Sequence, residues 1–250
     1  TDPNLNYQFK TNGVLQEAGS MDKSSSPYFW LNSGGRRTIA NGIGATNQGA
    51  LTTLNLWRML YGTNNSLDTD GGKYPQNVFR LITKNSWNNV EESLRFKLIK
   101  LNMTDTPNRD GYSGVLLMSR YIDAANLYYA GVRMDGTSVI KKKYKGVYYT
   151  LASGSVFISA DTSYNKDTNP NLIPGNIWMG LKTETITQAN GSVKITLWID
   201  KQDNNTWEQL LTAVDTRGTN GSGVIKGPAH TGIRTDYLDV LFDDYQVNEK

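Results

Sequence analysis

Residues 126–144 read Asn126-Leu-Tyr-Tyr-Ala-Gly-Val-Arg-Met-Asp135-Gly136-Thr-Ser-Val-Ile-Lys-Lys-Lys-Tyr144. Two runs rich in β-branched and aromatic residues flank an Asp-Gly pair, the strongest short-range signal for a two-residue hairpin turn. With Asp135 and Gly136 as the turn, Arg133 faces Ser138, Val132 faces Val139 and Tyr129 faces Lys142. Side chains alternate across a strand. One face then collects Tyr128, Ala130, Val132, Met134 and Val139 as core. The other collects Tyr129, Gly131, Arg133 and Lys142. Two cations, a phenol and a glycine that leaves room form a surface suited to an anionic, ring-shaped ligand; a solvated sheet face has the same pattern.

The rest of the chain repeats the β signature. Leu94-Arg-Phe-Lys-Leu98 alternates cleanly, Val78 to Thr83 and Val115 to Met118 read as strands, and Trp178–Thr185 with Val193–Asp200 reads as a second hairpin. Residues 51–60 fit strand or helix, and residues 61–77 read as the longest loop. About a dozen strands at near-regular spacing, separated by Gly, Asn and Pro, predict an all-β fold. The expected architecture is a jelly-roll sandwich of two antiparallel sheets formed by residues 1–250 as one domain.

Composition narrows the function. A net charge of +3, with acids and bases interleaved outside Lys141–Lys145, gives no reason to expect nucleic acid as partner. The chain has no cysteine, which excludes disulfides and thiolate chemistry. No apolar run approaches the ~20 residues of a membrane span. The chain starts at Thr1-Asp-Pro without Met and reads as a mature or trimmed form, with secretion and a monomeric state expected.

Tyr129-Ala-Gly-Val-Arg133 resembles the Lys-Ala-Gly-Val-Tyr core of alginate-lyase-type polysaccharide lyases. Gly232-Ile-Arg-Thr-Asp236 followed by Asp239-Val-Leu-Phe-Asp243-Asp-Tyr resembles the closing strands of concanavalin-like glucanases, laminin-G domains and jelly-roll lyases. In length the chain is similar to glucuronan lyases. It has neither the Gln-Ile-His nor the Arg-x-Glu-x-Arg motif of the alginate lyases, and Arg133 stands where their catalytic Tyr would fall. The resemblance implies a concanavalin-like fold acting on a polysaccharide, an acidic one above all.

β-Elimination at a uronate needs a group to neutralise the carboxylate, a base for the C5 proton and an acid for the leaving oxygen. Arg80, Arg133 and Lys142 are the candidate neutralisers, with Gln76 as an amide donor. Tyr129 and Tyr148 are candidate proton-transfer groups, Tyr149 lines the substrate, and His230 is the only histidine. A glycoside hydrolase needs two carboxylates facing one another across a groove. The Glu-x-Asp-x-x-Glu pattern of concanavalin-like glucanases is absent, and Glu91-Glu92 and Asp243-Asp244 are adjacent pairs that point to opposite faces. A non-catalytic carbohydrate-binding domain is the other alternative. Trp178 and Trp198 fall out of phase with the neighbouring apolar positions and would be its platforms. The resemblance further implies a structural Ca2+ where the chain ends pair, with Glu17 and Asp243 as ligands; Asp68-Thr-Asp70 is a second option.

Overall fold

The computed structural model describes residues 4–221 and 223–250. Sixteen strands run β1 Leu5–Tyr7, β2 Gly13–Gln16, β3 Phe29–Ser33, β4 Arg36–Ala40, β5 Ile43–Thr46, β6 Val78–Thr83, β7 Val90–Leu101, β8 Gly114–Asp123, β9 Asn126–Arg133, β10 Thr137–Tyr144, β11 Val147–Ser155, β12 Trp178–Thr187, β13 Val193–Asp200, β14 Glu208–Asp215, β15 His230–Asp236 and β16 Leu238–Glu249. They form two antiparallel sheets. One has the order β14-β13-β12-β7-β16-β5-β4-β2, with β1 added on β16; the other has the order β11-β10-β9-β8-β15-β6-β3. Strands account for 51% of the residues and helix for 7%, so the chain is the all-β jelly-roll sandwich that its alternation predicts.

Period-two burial does the sorting. In β7 buried Val90, Glu92, Leu94, Phe96 and Leu98 alternate with more exposed neighbours. The inner faces of both sheets meet in one apolar cluster, in which Phe79 stacks on Phe242 at 5.6 Å between centroids. The region read as a loop, residues 61–77, is instead largely helical. Helix α1 spans Leu56–Asn64, α2 spans Ser66–Thr69, and a 3-10 turn covers Pro75–Asn77. Asn55 starts α1 by accepting the Trp57 N–H at 2.9 Å.

The central hairpin is present with a register one residue away from the expected one. Val132 pairs with Ser138, Gly131 with Val139, Tyr129 with Lys141 and Tyr128 with Lys142. The turn has three residues, Met134, Asp135 and Gly136. Gly136 N–H donates to Arg133 O at 3.0 Å, and Gly136 adopts φ +79°. A three-residue turn closed by a left-handed glycine is the other loop that an Asp-Gly pair favours. Met134 is completely buried, and its N–H donates to Ser113 O at 2.7 Å, which favours the longer turn.

A one-residue slip exchanges faces along β10. Val139 leaves the core side for the outer face, and Ile140 takes the core side. Lys142 is therefore not on the Tyr129 face. It points between the sheets, where its ammonium lies 3.0 and 2.9 Å from the two carboxylate oxygens of Asp215 on β14. It also donates to Gly223 O at 2.6 Å, while Tyr128 OH donates to Asp215 at 2.6 Å. Both charged side chains are 0% exposed. This cluster ties one sheet to the other through polar bonds inside an apolar layer.

Glu92 is a second buried acid, accepting from Tyr245 OH at 2.9 Å and Thr183 Oγ1 at 3.3 Å. Burial outweighs these bonds and pushes its carboxyl up to about 8.

Two outcomes are expected. Lys142→Ala strands Asp215 as an unpaired buried charge and should cost about 3–5 kcal/mol in urea unfolding, whereas Lys142→Met with Asp215→Leu should cost far less. Glu92 binds its proton more tightly folded than unfolded, so stability should be greatest below about pH 4.5 for this group and decline as pH rises to about 8. Glu92→Gln should remove that slope in melts recorded across the interval.

Candidate functional site

The outer face of the seven-stranded sheet gathers the chemistry. Alternation sends Arg80 on β6, Arg234 and Asp236 on β15, Tyr129 and Arg133 on β9, Lys141 on β10 and Tyr148 on β11 to one side, around a cavity of about 470 Å³. Asp68, Asp110, Tyr112 and Tyr237 close its rim. Tyr129 also belongs to a small apolar cluster with Ile82, Leu116, Met118 and Val139.

The cations differ in what neutralises them. Arg234 Nε donates to Asp236 at 2.8 Å, and Arg80 lies 4.0 Å from the same carboxylate while donating to Val78 O at 3.2 Å. Arg133 is only 7% exposed, yet its buried Nε has no hydrogen-bond partner among the described residues. Its guanidinium sits 4.8 Å from the Tyr112 ring centre, a cation–π contact, and Asp135 and Asp110 act on it through space. A buried donor without an acceptor is costly, and an oxyanion in the cavity would repay it.

The two phenols are pulled apart. Their rings meet edge-on at 6.3 Å between centroids. Burial pushes the Tyr129 hydroxyl up to about 12, although Arg234 lies 5.2 Å from its ring centre. Burial also opposes ionisation of Tyr148, but Arg234, Lys143 and Arg80 outweigh it, and the Tyr148 hydroxyl is held below the ordinary tyrosine value. Lys143 lies 4.6 Å and Lys141 5.3 Å from the Tyr148 ring centre. Two titratable groups in one cavity, displaced in opposite directions, can divide base and acid work between them.

The carboxylates of the cavity are otherwise engaged. Asp236 serves the two arginines. Asp68 accepts from Asn108 at 2.8 Å, Tyr237 at 3.0 Å and Thr106 at 3.1 Å. Asp110 accepts the Tyr112 N–H at 2.8 Å.

Of the residues selected from sequence, Arg80, Tyr129, Arg133 and Tyr148 meet here. The others do not. Lys142 is consumed by Asp215. Tyr149, next to Tyr148, faces the opposite side, where the Lys142 ammonium lies 5.6 Å from its ring centre. Gln76 is 0% exposed and bonds to Asp239 at 2.9 Å and Gly49 O at 3.0 Å. His230 shares the face of Arg234 but sits four residues away, about 13 Å at strand rise, with Nδ1 3.0 Å from Asn85 O. Trp178 and Trp198 are partly exposed on the other sheet, Trp178 beneath Arg95 and Lys97 and Trp198 beneath Lys182.

Glu17 and Asp243 do not form a shared metal site. Glu17 follows β2, three strands from β16 and on the order of 14 Å from it. It accepts from Tyr61 OH at 2.6 Å and Gly35 N–H at 2.7 Å, whereas Asp243 accepts from Arg95 at 3.0 Å. In the second option, Asp70 pairs with Lys73 at 2.9 Å. Arg234, Asp236, Asp110, Tyr112 and Tyr237 line the cavity without having been selected from sequence, and Lys141 enters it because the faces of β10 are exchanged. Arg234 and Asp236 carried a signal, being opposite charges two apart in a strand and therefore on one face.

No protein-family profile matches the chain, and no curated protein does. Solved structures are similar in fold. The GH43 protein BlXynB of Bacillus licheniformis superposes with a TM-score of 0.53 at 9% identity, over 98% of this chain and 39% of that one. The β-glucanase of Bacillus licheniformis has a TM-score of 0.47 at 10% identity, covering 100% and 99% of the two chains. The carbohydrate-binding module CBM66 of Bacillus subtilis has a TM-score of 0.46 at 14% identity, covering 68% of this chain and 82% of its own. At such identities the likeness is one of fold.

Ultraviolet pH titration should reveal a tyrosine ionising below the usual value of 10.0. Tyr148→Phe should remove that transition, and Lys143→Met should move it upward by taking away a positive neighbour.

Proposed function

We propose that the protein is carbohydrate-active, holds a uronate-containing polysaccharide in this cleft and cleaves it by metal-independent β-elimination. The observation that carries the proposal is Arg133: a nearly buried guanidinium whose Nε has no hydrogen-bond partner among the described residues, lining the same cavity as a phenol of lowered pKa. The uronate carboxylate takes the place of the missing acceptor and is neutralised there, which acidifies the C5 proton. The Tyr148 phenolate removes that proton. The electron pair left on C5 forms the C4–C5 double bond as the bond from C4 to the glycosidic oxygen breaks. Tyr129, protonated at any ordinary pH, supplies the proton to the leaving oxygen. Arg234 and Arg80, held by Asp236, keep the field at Tyr148 positive. A polymer substrate also carries the expectation of a secreted protein.

A hydrolase needs a free carboxylic acid opposite a carboxylate. Each carboxylate around the cavity already serves a structural bond, which favours elimination. The partly exposed Trp178 and Trp198 support a second reading, binding without cleavage on the opposite sheet.

Incubation with a panel of polyuronates and neutral glucans tests these readings. Elimination produces ultraviolet absorbance from the unsaturated product on acidic chains alone. New reducing ends without absorbance would indicate hydrolysis, and retention without products would indicate a binding domain. Tyr148→Phe should lower kcat about 10²–10⁴-fold. Arg133→Ala should cost about tenfold or more in kcat/KM, the worth of a charge-assisted bond. The rate should climb with pH as Tyr148 ionises, because the base must be the phenolate.

A further inference from the structure

At the β2 edge of the nine-stranded sheet lies a larger open cavity of about 680 Å³, away from the cleft. Arg37 of β4 lines it and is only 4% exposed. Its Nε and Nη1 have no hydrogen-bond partner among the described residues. Its contacts there are uncharged: the Phe9 ring, with its centre 5.9 Å from the guanidinium carbon, and the Tyr7 hydroxyl. Lys10 is the other charged residue of the lining, and no Asp or Glu among the described residues lines the cavity. Among the described residues the lining thus carries two positive charges and no counter-charge. An aromatic wall stands beside them. Tyr28 is 48% exposed and leans on Tyr7 at 5.4 Å between ring centres. Ser25, Ser26 and Asn12 add polar groups to the lining.

We infer that this cavity is a second ligand site, for a sugar ring bearing an oxyanion, either a uronate carboxylate or a sulfate ester. Arg37 and Lys10 neutralise the anion, and Tyr28 packs against the ring face. A guanidinium held in an apolar wall without a carboxylate is stabilised by such an anion, and a neutral sugar supplies none. The site lies on another sheet from Arg133 and does not depend on the chemistry proposed for the cleft.

Calorimetric and amide-shift titrations with glucuronate, glucose sulfate and glucose, on the full chain, test this. Both anions should shift the amides of residues 7–14, 26, 28 and 37, and glucose should shift none of them. Arg37→Met should weaken anion binding at these reporters about tenfold or more, the loss expected of a charge-assisted bond, with a melting temperature no lower than wild type. Arg37→Lys, which keeps the charge, should retain part of the affinity. Arg133→Ala should leave these shifts intact while abolishing those around the cleft, so failure of one site is read separately from failure of the other. Preference for one anion would identify the source as uronate or sulfated sugar. Silence of these amides toward both anions, or identical binding by wild type and Arg37→Met, would overturn the assignment.

Discussion

The buried Lys142–Asp215 pair is the constraint on which the arrangement of the site depends. A charge between two apolar sheets is tolerated only with a partner, and Lys142 has three: both oxygens of Asp215 and the carbonyl of Gly223. These bonds hold β10 with Lys142 inward. Alternation then leaves Lys141 and Lys143 outward, where their ammonium groups flank Tyr148. Slipping β10 by one residue would bury Lys141 and Lys143 without an acid and expose Lys142. The electrostatics of the outer face thus follow from an ion pair that never touches it.

The same sheet shows how burial and charge divide one residue type into different tasks. Tyr128 and Tyr129 are consecutive on β9, and Tyr148 lies two strands away on β11. Tyr128 points inward, where burial, and after it donation to Asp215, keeps it protonated and structural. Tyr129 is buried on the outer face and stays protonated because desolvation exceeds the pull of Arg234. Tyr148 lies at the sheet margin, more open to water, and there Arg234, Lys143 and Arg80 prevail over burial. The arginines are likewise divided. Asp236 spends its charge on Arg234 and Arg80, which makes them fixed features of the wall. Arg133 packs on the Tyr112 ring, with Asp135 and Asp110 acting on it through space, and forms no direct ion pair among the described residues.

Part of this was legible in the residues. The alternation in β7 and the Asp-Gly signal identified strands and a hairpin, and Tyr129, Gly131 and Arg133 emerged on one polar face as expected. Arg80 and Tyr148 joined them from other strands. The failures share a cause. An Asp-Gly pair suits a two-residue turn and a three-residue turn ending in a left-handed glycine, and local propensity does not choose between them. The far side of the hairpin chose, because only the longer turn seats Ile140 in the core and Lys142 on Asp215. Gln76 and Tyr149 looked like surface polar residues. Whether an amide or a phenol meets substrate or another buried group depends on partners far along the chain, such as Asp239 for Gln76.

The amino-acid sequence by itself determined the class of fold and the stock of cations and phenols available to a site, because period-two hydrophobicity and turn residues act over a few positions. Only the tertiary structure decided which of those groups meet. Arg80, Arg133, Arg234, Lys141 and Tyr148 come from five strands whose adjacency is set by the order β11-β10-β9-β8-β15-β6. The separation of the Trp178 and Trp198 face from the cationic cleft was decided in the same way, since both are partly exposed sheet faces and only the packing of the two sheets sets them back to back. Ionisation is likewise a property of the fold, because a phenol's pKa depends on burial and on charges delivered by other strands.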